Sequence, residues 1–171
     1  MLSQITQHSP PGLRKLNCSM SLTIIAIGKK HESWVSEGIE RYQKRLKQPY
    51  NVEWILLPHS SFEGNKARQE ESDRISGRLS GFDFTIVLDE RGRMIDSPQL
   101  AGILDDPLAH SQKIAIVIGG AYGITEELRQ QVRLVWSLSP LVLPHQLVRL
   151  ILIEQLYRVQ QIATGGSYHH E

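Results

Sequence analysis

The stretch IAIVIGGAYG, residues 114–123, decides the fold class. Its first five residues are apolar and mostly β-branched, which is typical of a strand buried on both faces of a sheet. Two glycines follow, and then Thr125 and Glu126 predict a helix start, since threonine caps helices and carboxylates favour their positive end. A buried strand that passes through a glycine turn into a helix indicates a parallel α/β sheet.

The same alternation extends in both directions along the chain. Short apolar runs predict further strands at residues 21–27, 52–57, 84–88 and 135–138. Periodic segments predict helices at residues 32–46, 65–79 and 145–162. A further helix is predicted to begin at Ser97, with Ser97 as its cap and Pro98 in its first turn. The sequence therefore predicts one α/β domain over residues 20–171, with a mainly parallel sheet and helices on both faces.

Composition excludes several classes of protein. The chain has 171 residues, a formal net charge of +1, 40% hydrophobic residues and one cysteine. These values exclude a disulfide framework and a cysteine-rich zinc site, and no apolar run is long enough to predict a membrane helix. Eight basic and three acidic residues among the first 50 leave two alternatives open there, a phosphate-binding patch or a solvated helix face.

Residues 1–19 differ from the rest of the chain. They contain Pro10-Pro11-Gly12 and no regular apolar period, which predicts a disordered or dispensable extension. The apolar centre of a secretory signal is absent from them, so we expect a cytoplasmic protein. Their lack of acidic residues leaves an organelle transit peptide as the alternative.

A ligand site is expected where the predicted strands end, because open α/β sheets bind ligands at the carboxyl ends of their strands. Leu88 and Gly119-Gly120 end two of these strands. The later segment WSLSPLVLPH, residues 136–145, is apolar but broken by prolines, so its backbone groups need partners. A heteroaromatic ligand or a packed core connection would satisfy it equally well.

The last predicted helix has almost no polar face over its middle. A helix that is apolar all round has to be buried all round, and a small domain achieves this most simply against a partner subunit. Glu154 lies four residues before Arg158, and this spacing predicts an ion pair.

Four segments together resemble the ribosomal large-subunit pseudouridine methyltransferases of the SPOUT class. They are LDERG (88–92), SPQLA (97–101), IAIVIGGAYG (114–123) and residues 136–171, of which the last is the most specific. The resemblance covers residues 20–171. The chain departs from the family pattern at Ala121-Tyr122, where the family often has Pro-Glu, and at Gly165-Gly166-Ser167, where it often has Asn-His-Pro.

The resemblance implies a SPOUT fold with a C-terminal trefoil knot and a homodimer. It implies S-adenosylmethionine as methyl donor, no metal and no membrane. The implied product is N3-methylpseudouridine in a stem-loop of 23S rRNA, made on assembled ribosomes. The positions that match the family's donor site are Leu88, Gly119, Gly120, Leu138, Ser139, Pro140, Leu141, Val142 and Leu143.

The implied nucleophile, N3 of pseudouridine, carries a proton near neutral pH. Its methylation therefore needs a group that accepts this proton or stabilises the ring anion. The candidates for this catalytic role are Glu154, His145, His169 and Arg149, and the candidates for RNA contact are Arg149, Arg158, Tyr168 and His169. We expect the C-terminal tail to reach the partner's donor site. Two alternatives remain: another SPOUT enzyme that acts on tRNA, and an α/β binding module that takes no donor.

Overall fold

A computed structural model describes residues 22–170, without the side chains of residues 169 and 170. The predicted extension at residues 1–19 lies outside the described residues. The strands are β1 (Leu22–Ile27), β2 (Val52–Leu57), β3 (Phe84–Met94), β4 (Ile114–Ile118) and β5 (Leu134–Ser137). The helices are α1 (Ser33–Gln43), α2 (Gly64–Leu79), α3 (Ser97–Ala109), α4 (Glu126–Gln131) and α5 (His145–Thr164), followed by a 3-10 turn, Ser167–His170.

The five strands form one parallel sheet in the order β2-β1-β4-β3-β5. On one face, α1, α3 and α5 pack over a core that includes Ile24, Leu104 and Leu156. On the other face, α2 and α4 cover a smaller core with Ile75 and Leu128. The predicted parallel α/β sheet with helices on both faces is confirmed, and it brings the strand ends to one edge.

Strand β3 continues beyond Leu88, where the sequence predicted its end. Leu88 and Arg93 both pair with Trp136 of β5, so residues 89–92 leave the ladder as an irregular bulge. Such bulges redirect side chains at the edge of a sheet. The residues of the LDERG motif thereby turn toward the carboxyl edge instead of ending the strand.

Helix α3 is capped by Asp96, not by Ser97 as predicted. The Asp96 carboxylate accepts a hydrogen bond from the Gln99 backbone N–H at 2.8 Å, and the Gln99 side chain accepts one from the Asp96 N–H at 2.9 Å. With Ser97 as cap, the third helical residue would be Leu100, whose side chain has no acceptor, so the second of these hydrogen bonds could not form. Ser97 donates instead to the Gln155 side chain of α5, at 2.7 Å.

Helix α5 is buried on one side within the chain, where Leu152, Ile153, Leu156 and Val159 lie inside the core. The prediction of burial all round is not met by one chain, because α1 and α3 cover only this side. Its remaining apolar side chains, which are half-buried, are those of Leu147, Val148, Leu150, Ile151, Tyr157 and Ile162. Among the described residues, no helix has the length and apolar character needed to span a membrane.

Candidate donor-binding site

A cavity of about 330 Å³ opens at the carboxyl edge of the sheet. Its wall is built from the end of β3, the turn after β4, the loop after β5 and the first residues of α5. Eight of the nine predicted donor-site residues line it, and Pro140 does not; the eight are Leu88, Gly119, Gly120, Leu138, Ser139, Leu141, Val142 and Leu143. The fold thus joins three sequence segments that are far apart in the chain.

The loop after β5 keeps its irregular shape through serine hydroxyl groups. Ser137 Oγ donates to the Ser139 carbonyl at 2.9 Å, and Ser139 Oγ accepts from the Leu141 N–H at 3.0 Å. The side chains of Leu141 and Val142 are 72% and 84% exposed at the rim of the cavity. Exposed apolar groups beside a concave backbone wall fit an apolar ring that would cover them, so these residues fit the adenosyl group of the implied donor.

The β3 bulge supplies the polar wall of the cavity through Asp89. Its carboxylate accepts from the Arg91 N–H at 2.9 Å, from Arg91 Nε at 3.2 Å and from Arg129 Nη2 at 3.0 Å. Burial alone would raise the pKa of Asp89, but these hydrogen bonds outweigh it and hold the pKa below its usual value. Asp89 is therefore an ionised, fully partnered acid that ties the cavity wall to α4.

A buried acid, Glu71, lies next to Gly120 and was not among the site residues predicted from the sequence. A side chain on Gly120 would overlap Glu71 Oε2. Glu71 Oε1 accepts from the Ser60 N–H at 2.9 Å, whereas Oε2 has no hydrogen-bond partner among the described residues. The spacing could have revealed it, because Glu71 stands four residues from Ala67 and from Ile75, on the buried stripe of α2.

His145 is the catalytic candidate that lines the cavity. It is the half-buried first residue of α5. Burial lowers its pKa, and His59 and Arg149 lower it further, while Glu71 opposes them. The positive end of a helix also disfavours a protonated imidazole. His145 is therefore neutral near pH 7 and able to accept a proton.

Arg149 is fully buried beneath the carboxyl end of β1. Its guanidinium donates to the carbonyls of Ile27 at 2.7 Å and Lys30 at 2.9 Å, and Nη1 lies 3.2 Å from His31 Nδ1. Burial lowers the pKa of both Arg149 and His31. These contacts join α5 to the end of β1, and Arg149 is absent from the cavity lining.

The remaining candidates form a second group along α5. The predicted ion pair is present, with Arg158 Nη2 2.8 Å from Glu154 Oε1. The Tyr168 hydroxyl donates to Glu154 at 3.4 Å and lies 3.3 Å from the Tyr42 hydroxyl, and Arg158 donates to the Tyr168 carbonyl at 3.2 Å. The hydrogen bond with Tyr42, then burial, raises the pKa of Tyr168. The side chain of His169 lies outside the described residues.

The two groups are separated along the last helix. Glu154 stands nine residues after His145, which is roughly 14 Å along the axis of an α-helix. Tyr168 contacts Glu154 and does not line the cavity of its own chain. Within residues 22–168, no cluster of three or more His, Cys, Asp or Glu side chains could hold a metal ion.

Comparison with known proteins gives matches over most of the chain. A family model described as "Predicted SPOUT methyltransferase" matches residues 20–169. The chain is 37% identical over 157 residues to "Ribosomal RNA large subunit methyltransferase H" of Pelotomaculum thermopropionicum, covering 87% of this chain and 98% of that protein. It is 42% identical over 148 residues to the protein of the same name from Prochlorococcus marinus (strain NATL1A), covering 86% and 94%.

Solved structures with low sequence identity share the fold. A "probable methyltransferase" from Bordetella pertussis Tohama I superposes with a TM-score of 0.53 at 15% identity, covering 83% of this chain and 97% of that one. A methylase family protein from Neisseria gonorrhoeae gives a TM-score of 0.52 at 12% identity, covering 90% and 86%. At such identities, the superpositions concern the arrangement of the backbone alone.

Proposed function

Since the chain belongs to the SPOUT methyltransferase family, we propose that it methylates N3 of a pseudouridine in large-subunit ribosomal RNA. It is a methyltransferase. The proposed donor is S-adenosylmethionine, and the proposed substrate is a stem-loop of 23S rRNA on assembled ribosomes, which implies work in the cytoplasm. One observation carries the proposal: the cavity is lined by eight of the nine donor-site residues that the resemblance implied.

The chain would hold the donor with backbone and apolar side chains. Leu138, Leu141 and Val142 would cover its adenosyl group, and the main chain at Gly119-Gly120 would lie against it. When bound, the donor supplies an electrophilic methyl group on a positively charged sulfur. The enzyme's main task is then to position the attacking nitrogen in line with that group and to exclude competing water.

His145 is the proposed proton acceptor. N3 of pseudouridine carries a proton near neutral pH, and this proton has to leave as the nitrogen attacks. His145 lines the cavity and its pKa is lowered, so its imidazole is in the accepting form at pH 7. Glu154 is engaged by Arg158 and Tyr168 on another part of α5, which favours a role for it outside proton transfer.

We propose that the active protein is a homodimer. The outer face of α5 carries half-buried apolar side chains, including Leu147 and Ile151, and a second copy would complete their burial. Tyr168 does not line the cavity of its own chain, which supports the hypothesis that the tail of one chain serves the cavity of its partner. The trefoil knot stays a prediction.

The function is tested by donor binding and by the modified nucleotide. We expect the purified protein to bind S-adenosylmethionine in a calorimetric titration and to methylate large-subunit RNA in ribosomes from a strain that lacks this protein. Mass spectrometry of the rRNA would locate one added methyl group on a pseudouridine. Methylation of tRNA instead of ribosomal RNA would favour the alternative of a SPOUT enzyme that acts on tRNA. Absence of donor binding at millimolar concentration would favour a binding module.

Removal of the tail tests the shared site. A chain lacking residues 167–171 is expected to bind the donor with unchanged affinity but to methylate ribosomes at least about tenfold more slowly, because it loses groups that orient the substrate. The matched control is Tyr168→Phe, which removes the hydroxyl group but keeps the ring against Tyr157 and Arg158. Its rate of methyl transfer separates the contribution of the hydroxyl group from that of the whole tail. Full activity of the shortened chain, measured as initial methyl transfer, would rule out a catalytic contribution of the tail.

A further inference from the structure

We propose that Glu71 is a specificity-determining residue, whose buried carboxylate makes the cavity favour the positively charged donor over the uncharged thioether product. The inference rests on the proposed function, since it assumes that S-adenosylmethionine occupies the cavity. The two ligands differ by one methyl group and one positive charge on sulfur. An enzyme that turns over repeatedly benefits from a pocket that holds the first more tightly than the second.

Glu71 is buried next to a glycine of the cavity wall. Its side chain is 5% exposed, and its Oε2 atom lies where a side chain on Gly120 would be. Gly120 itself lines the cavity. Gly120 therefore adjoins both the Glu71 carboxylate and the cavity. Since the Glu71 side chain is buried, bulk water screens its charge less than it screens an exposed carboxylate.

One oxygen of the Glu71 carboxylate has no hydrogen-bond partner among the described residues. Oε1 accepts from the Ser60 N–H and lies 3.7 Å from His59 Nδ1, but Oε2 has no partner in the part of the chain that the structure describes. A buried carboxylate oxygen without a hydrogen bond is costly, and a glutamine of almost equal shape would avoid the charge. A local cost of this kind is expected at functional sites.

The other acids at the cavity do not offer the same charge. Asp89 is neutralised by Arg91 and Arg129, which both donate to it. The side chain of Glu90 is 48% exposed, so water and salt screen it. Arg149, the buried cation nearby, donates to main-chain carbonyls. Among the described residues around the cavity, Glu71 is therefore the buried negative charge that lacks a full complement of partners.

The experiment compares the dissociation constants of S-adenosylmethionine and S-adenosylhomocysteine by calorimetry. In the Glu71→Gln protein we expect the preference for the charged donor, relative to the product, to fall by about five- to tenfold. The affinity for the product should change by less than about twofold. Thermal unfolding of the ligand-free variant should begin no earlier than in the wild type, since a buried charge has been removed.

Two further variants complete the test. Asp73→Asn alters an exposed acid on the same helix and is expected to leave both dissociation constants unchanged. Glu71→Asp keeps the charge and is expected to keep the preference. Equal weakening of both ligands by Glu71→Gln, an aspartate variant that behaves like it, or a glutamine variant that unfolds more easily would each overturn the inference. Failure of the wild type to bind either ligand would instead reject the proposed function.

Discussion

Gly92→Ala is expected to destabilise the protein by about 3 kcal/mol, because it inserts a methyl group between two strands that touch. A side-chain carbon on Gly92 would lie 2.7 Å from the carbonyl carbon and oxygen of Val135 and 2.8 Å from the carbonyl carbon of Trp136. These are main-chain atoms of β5, so no rotamer change can relieve the overlap. The β3 bulge and β5 would have to separate, and Asp89 would move with them.

Thermal or urea unfolding measures this effect. For a chain of this size, about 3 kcal/mol corresponds to a fall of roughly 6–12 °C in the midpoint. Gly102→Ala is the matched control, since nothing lies within 4 Å of the added carbon and the residue is exposed in α3. It should be neutral or stabilising by up to about 1 kcal/mol. A Gly92→Ala protein as stable as the wild type would contradict the close approach of the two strands.

His145→Gln is expected to lower kcat by about 100-fold or more, which is the usual contribution of a positioned general base. The amide has a similar size and can still line the cavity, but it cannot take up the proton. We therefore expect the affinity for the donor to change by less than about threefold. His110→Gln, which alters an exposed histidine after α3, is the control and should leave kcat unchanged.

The pH profile separates a base from a lining residue. Since burial lowers the pKa of His145, the wild-type rate should fall as the pH drops through that lowered pKa, at a lower pH than for an exposed histidine. The glutamine variant should lack this fall, and its residual rate should keep rising with pH as N3 of the substrate ionises unaided. A variant with the wild-type kcat and the same acid limb would exclude His145 as the acceptor.

The lowered pKa of His145 also makes the free energy of unfolding depend on pH. A histidine whose pKa is lower in the folded state binds fewer protons there than in the unfolded chain. The contribution of His145 and of His31 is therefore fully present above the unfolded pKa of about 6.5 and is lost as the pH falls through the lowered values. Burial is the largest cause for both, so the loss should depend little on salt.

Much of the fold and of the cavity could be predicted from the sequence because their signals are local. The bounds of β2 and β4 match the predicted segments, since proline, glycine and apolar runs mark them directly. The Glu154–Arg158 pair follows from helical spacing alone. The donor-site segments were predicted from the resemblance to the SPOUT family, which depends on several short segments considered together. The end of β3 was missed because its pairing with β5 is decided by a strand 40 residues away.

The parallel α/β class follows from local sequence patterns, and the family and eight of the residues that line the cavity were predicted through the resemblance. Which polar groups are buried, and which atoms they contact, is visible only in the folded chain. The sequence made Arg149 a catalytic candidate and did not single out Glu71, yet Arg149 binds the carbonyls at the end of β1 and Glu71 lies against Gly120. The free energy of a charged group depends on its exposure to water and on its partners, and both are fixed only when distant segments pack together.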